Sequence, residues 1–163
     1  MELLGIRLTK RMDGGSVLRC VRADGSVTWQ KQDRHAAFFA LHDLTHFAVE
    51  STLGFRDGFF GLVAQGWDID DTTGKGTRGR LPAETIEVEQ MVGLLTAERA
   101  GGVPMTAEEF NRFAASQLAS LPGYSPRGAT EEELQRVRTR CSELFWQWHE
   151  LPSGSRLELH LGK

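Results

Sequence analysis

The chain has 163 residues, 40% of them hydrophobic and 25% charged, with a formal net charge of -3. That length suits one compact domain, residues 1–163, with a sizeable core. The charge gives no electrostatic case for nucleic acid or an anionic membrane surface. The longest apolar runs, at 36–41 and 59–64, are far too short to span a bilayer. The N-terminus carries an early acid and alternating polarity, so it reads as a strand and not as a secretion signal. Cys20 and Cys141 fall in different elements with no C-x-x-C spacing. Two reduced, buried thiols in a cytoplasmic protein are expected.

Residues 2–31 read as an antiparallel meander. Leu4, Ile6 and Leu8 alternate with Arg7 and Thr9, and Asp13-Gly14-Gly15 marks a turn. Leu18 and Cys20 alternate with Arg19, and Asp24-Gly25 is a hairpin signal ahead of Val27-Thr28-Trp29. Apolar residues then change to helical spacing, which predicts a helix from about 34 to 52 with Asp33 as N-cap and Gly54 as its stop. Phe59–Ala64 reads as a short buried helix ending near Gly66. Asp68, Asp70 and Asp71 lack the register of a calcium loop, and the glycine-rich run at 72–80 lacks phosphate-loop spacing. Both read as surface loop.

The second half reads as helices. Pro82 suits a first helical position, Ile86, Met91, Leu94 and Leu95 form one side, and Gly101-Gly102 ends the element. Thr106-x-x-Glu109 is a capping box that opens a helix with Phe110, Phe113 and Ala114 inside. A second box, Thr130-x-x-Glu133, opens a long helix with a core stripe of Leu134, Val137, Cys141, Leu144, Phe145 and Trp148. Trp146 reads as packing beside that stripe. Leu157, Leu159 and Leu161 alternate with Glu158 and His160 as a last strand. The expected fold class is α+β: an N-terminal antiparallel β-meander joined by a C-terminal strand and packed against four to five α-helices.

Chemistry concentrates in residues 35–50. At roughly 100° per residue, His35, His42, His46 and Glu50 project within about 60° to 80° of one another, so three of the five histidines share a face with a carboxylate. Histidines at i and i+4 stand about 6 Å apart and can converge on one ion. His42 and His46 are therefore the expected ligands of a divalent metal, zinc first, with Glu50 as the local third candidate. Glu50 is about 12 Å along the axis from His42, so accepting a hydrogen bond from His46 is its more comfortable role. Remote third ligands are Glu84, Glu87, Asp68, Asp70 and His149. His35, about 10 Å along the axis from His42, is too far to join the same ion easily and is expected as a binding residue that lines the pocket or helps hold a second metal.

The segment His42-Asp43-Leu44-Thr45-His46 resembles the H-E-x-x-H motif of zincin metallopeptidases, with Asp43 where that family has its general-base glutamate. The resemblance spans five residues and implies metal-assisted hydrolysis of a small-molecule or peptide substrate, with Asp43 as the catalytic base; from the helix face alone, Asp43 or Glu50 handles the proton. The pattern of HD phosphohydrolases fits poorly, because His35 and His42-Asp43 share one helix. The alternative is a non-enzymatic interaction or pH-sensing module built on a buried His/Glu polar network.

Overall fold

The computed structural model describes residues 2–74, 76 and 78–162. Strands β1 (Glu2–Lys10), β2 (Ser16–Arg22), β3 (Val27–Gln32) and β4 (Arg156–Gly162) form one sheet in the order β3-β2-β1-β4. Every neighbouring pair is antiparallel, with Leu8 opposite Leu18 on one side and opposite Leu157 on the other. The period-2 alternation therefore places Leu4, Ile6, Leu8, Leu18, Cys20, Leu159 and Leu161 on the buried face. The architecture is α+β, an N-terminal meander closed by a C-terminal strand.

Five α-helices occur among the described residues: α1 (Ala36–Leu53), α2 (Phe59–Ala64), α3 (Ala83–Gly101), α4 (Ala107–Ala115) and α5 (Glu131–Glu150). Both capping boxes form as the sequence requires, Thr106 with Glu109 and Thr130 with Glu133. Glycines in the left-handed region, Gly54 and Gly102, stop α1 and α3. Helix α1 is the hub. It lies against β2 and β4 on one side and against α2, α3 and α5 on others. The C-terminal end of α1 meets the N-terminal end of α3, because Glu84 accepts from the backbone N–H groups of Arg56 and Asp57 and the Thr85 hydroxyl donates to Asp57 O. The two helices thus run antiparallel.

Several expectations are corrected. Asp33 does not cap α1: it pairs with Arg11 and Lys31, and His35 holds the N-cap position in a left-handed conformation, φ 53°, with no side-chain cap. The pull of two cations on Asp33 wins over the backbone donors that a cap would serve. Pro82 sits one residue earlier than expected, as the N-cap. Phe113 is 46% and Trp146 66% exposed, so neither is core. The acidic stretch makes a 3₁₀ turn, Ile69–Thr73, in which Asp71 accepts from Asp68 N and Asp68 pairs with the buried Arg22. Lys75 and Thr77 of the glycine-rich run lie outside the described residues.

Cys20 and Cys141 are buried and unpaired as expected. Burial pushes the first thiol up to about 12 and the second up to about 11, which leaves both unreactive near neutral pH. No helix among the described residues is long and apolar enough to cross a membrane.

Glu87 is fully buried and holds the chain ahead of α5 to α3. Its carboxylate accepts from Tyr124 OH at 2.5 Å, Arg127 N at 2.9 Å and Gly128 N at 2.8 Å. Glu87→Ala strands three donors at once and is expected to destabilise the protein by about 2–4 kcal/mol in urea unfolding. A loss under about 0.5 kcal/mol, the size of an ordinary surface change, would show that this anchor is idle.

Candidate metal centre

Residues 43–50 of α1 are all buried, four polar side chains among them. A helix enclosed on all sides must find each of these a partner, in a neighbouring element or in the helix itself. Asp43 faces the sheet and accepts from Gln32 Nε2 at 2.9 Å, while Gln32 Oε1 accepts from Ser16. The Thr45 hydroxyl donates to Leu41 O within the helix. His46 and Glu50 face α3 and α2 and bind each other, Nδ1–H donating to Glu50 Oε2 at 3.1 Å. The second oxygen of Glu50 accepts from Gly61 N at 3.0 Å. Gly58 closes the other side of that carboxylate, since a Cβ there would lie 2.3 Å from Glu50 Cδ.

At i+4 spacing the face becomes a ladder. Phe38 stacks on His42 with ring centres 5.8 Å apart and planes 22° apart. His42 meets the edge of His46 at 4.8 Å, and His46 leads to Glu50. Burial deepens along it: Phe38 is 49% exposed, His42 is half-buried, and His46 and Glu50 are both 1% exposed. Phe59 of α2 packs against His46 at 5.5 Å. The imidazoles are therefore reached from the Phe38 end.

The third member comes from α3. Glu89 Oε1 stands 3.1 Å from His46 Nε2, and the ligand atoms offered by His42, His46 and Glu89 all lie within 4.8 Å of one another. These three residues form a group that can hold a metal ion. Around a tetrahedral zinc with bonds of about 2.0–2.1 Å, ligand atoms stand about 3.3 Å apart. The His46–Glu89 gap already has that spacing. His46 Nε2 is buried, and its 3.1 Å approach to Glu89 lacks the alignment of a hydrogen bond, so the atom has no hydrogen-bond partner.

The electrostatics converge on that nitrogen. Burial resists charge on His46, but the hydrogen bond to Glu50 and the close Glu89 carboxylate outweigh it and push its pKa up to about 10. Burial would raise Glu89, yet contact with His46 and the charges of both imidazoles hold its pKa below the ordinary value. His42 is held below its ordinary value by burial and then by the charge of His46. A neutral His46 has one N–H, and Glu50 takes it. Its Nε2 lone pair then faces a carboxylate oxygen, two acceptors in contact, unless a cation stands between them. A proton or a metal ion can fill that role.

Of the expected site residues, the structure brings His42 and His46 together and sets Glu50 behind His46. It does not bring in Asp43, whose carboxylate turns to Gln32, or His35, which is exposed ahead of the helix. The remote candidates are engaged elsewhere: Glu84 with backbone at 56–57, Glu87 at the 124–128 loop and Asp68 with Arg22. Asp70 and His149 are exposed. Glu89 was not among the expected ligands. One signal for it exists: it lies at the border of the apolar side of α3 made by Val88 and Val92, where a helix carboxylate can turn toward a neighbouring helix. No protein-family description, curated protein or solved structure matches this chain.

Burial pushes the Asp43 carboxyl up to about 6, from an ordinary value of 3.8, against the opposing bond from Gln32. A folded-state pKa above the unfolded one favours folding at pH below about 4, and that contribution is lost as pH rises through about 6. Relative to Asp43→Asn, the wild type is therefore expected to lose on the order of 2 kcal/mol of stability between pH 4 and pH 7. Parallel stability–pH curves for the two proteins would show that Asp43 stays ionised in the fold.

Proposed function

We propose that this chain is a metalloprotein in which His42, His46 and Glu89 hold a divalent transition metal, zinc foremost, and that the open side of the ion serves hydrolysis. The supporting observation is one atom, His46 Nε2, buried and without a hydrogen-bond partner, facing Glu89 across the gap that two ligands of one ion would leave. Two imidazoles and one carboxylate make a donor set used by catalytic zinc, with a further position left for water or substrate. The exposure of Glu89, 43% of its side chain, agrees with an open and not a closed centre. When bound, such an ion lowers the pKa of a coordinated water toward neutrality.

Within this reading Glu50 positions and does not ligate. Its two hydrogen bonds fix the tautomer of His46 and aim Nε2 at the gap, as carboxylates behind metal-bound histidines do. Asp43 acts as the base only by leaving Gln32 and turning away from the sheet. The second reading is a buried ion network with the proton on His46 Nε2, favoured by the same pair of carboxylates. In that case the protein is a binding or sensing module and needs no metal.

Metal analysis of protein purified without added metal separates the two readings. About one equivalent of a divalent ion is expected in the wild type, and little in His42→Ala plus His46→Ala or in the half-exposed Glu89→Gln. A chelator should then lower the melting temperature of the wild type alone. Equal metal in all three proteins, with a chelator-insensitive melt, would sink the metal reading. Glu50→Gln and Gly58→Ala leave the ligands in place but disturb the carboxylate behind His46, so each is expected to weaken metal affinity by about 10- to 100-fold. Unchanged affinity in both would show that Glu50 does not position His46.

A further inference from the structure

The fold sorts charge between the two faces of the sheet. The chain as a whole carries -3, which gives no case for a polyanion, but charge gathered on one surface acts locally. Leu4, Ile6, Leu8, Leu18 and Cys20 point at α1 and α2, so the alternation sends Arg7, Arg19, Trp29, Lys31, Arg156 and Glu158 to the opposite face. None of these six is buried, and Trp29 is 63% exposed. The face carries four fixed cations, Arg7, Arg19, Lys31 and Arg156, against two acids, Glu158 and the Glu2 that reaches over Gly5. Register sharpens the imbalance. Arg7 lies directly opposite Arg19 on the neighbouring strand, an arrangement of like charges that destabilises a sheet. Arg19 in turn lies opposite Trp29, so two cations and a ring form a row across three strands, about 10 Å at the usual strand spacing. Among the described residues no ion pair holds Arg19, while Arg7 and Arg156 share the one carboxylate of Glu158, at 3.4 and 3.0 Å. The Glu2 carboxylate is taken up by His160 at 2.8 Å.

We propose that this outer sheet face binds single-stranded nucleic acid, independently of the metal centre on the helical side. A polyanion supplies Arg19 and Arg7 with the negative charge that the chain itself withholds, and so relieves their repulsion. The exposed ring in line with the two cations suits a base, whose face stacks on an aromatic platform while neighbouring phosphates lie on the arginines. An acidic peptide would answer the cations but leave Trp29 without a role. A duplex would do no better, because its base faces are already stacked on one another.

The test is fluorescence anisotropy of the full chain with labelled oligothymidylate and oligouridylate of about 12 nucleotides at low salt. A duplex and a polyglutamate peptide of matching length serve as competitors. Micromolar binding of one or both oligomers is expected, with a log–log salt slope of about -1.4 to -2.8 for contact with two to four phosphates. Trp29→Ala should weaken binding about tenfold, the size of one stacked base. Arg19→Gln should weaken it severalfold, flatten the slope by about 0.7 and leave the melting temperature no lower than that of the wild type. Both side chains are outside the core, so the variants are expected to fold. No binding to either oligomer, or binding that both substitutions leave intact, would overturn the proposal. So would a peptide that competes as well as the oligomer, since the partner is then an acidic protein segment, or a duplex that does so, since Trp29 then holds no base. Loss of binding on adding a chelator would move the site to the metal centre and overturn it too.

Discussion

The buried carboxylate of Glu50 is the constraint on which the centre depends. A carboxyl group removed from water is costly unless its oxygens are satisfied, and here one accepts from the His46 ring and the other from the Gly61 backbone. The arrangement ties three pieces of chain together: the end of α1, the loop at Gly58 and the start of α2. It also settles the state of His46. With Nδ1–H committed to Glu50, the other nitrogen has only one direction left, toward Glu89 on α3. A second carboxylate there leaves each ring nitrogen of His46 facing an acid group.

The burial of α1 explains how the charge network can sit beside an ordinary apolar core. Its polar residues do not share one environment but divide among the neighbours of the helix. Asp43 goes to β3 through Gln32, and His46 and Glu50 go to α3 and α2. A helix with solvent on one side would need no such division. The same geometry grades the ladder from Phe38 at the surface to Glu50 in the interior, so one end opens to solvent and the other stays dry. Dryness matters, because electrostatic interactions strengthen where water is excluded.

The local parts of this design were legible in the residues. The i, i+4 spacing of His42, His46 and Glu50 survives folding as a ladder, and the role for Glu50 behind His46 followed from its distance along the axis. The resemblance to the zincin motif singled out the two imidazoles that the fold stacks on one face, and it implied a general-base role for Asp43, whose carboxylate instead accepts from Gln32. The position of Asp43 on the helix circumference is a local fact; which neighbour covers that side is not. His35 shows the opposite failure. It was on the right face only if the helix continued through it, and the chain enters α1 one residue later through a left-handed turn.

Periodicity and spacing determined by themselves the meander and its closing strand, both capping boxes, the long helices and the stacked histidines. These depend on backbone geometry within a few residues, where sequence distance and spatial distance are the same thing. Only the tertiary structure decided that Glu89 completes the group, that Glu87 and Glu84 are spent on loops and that Asp43 turns to the sheet. Those outcomes depend on how α3 and β3 dock against α1. Docking is set by the sum of many apolar contacts far apart in the chain, and no short stretch of residues encodes it.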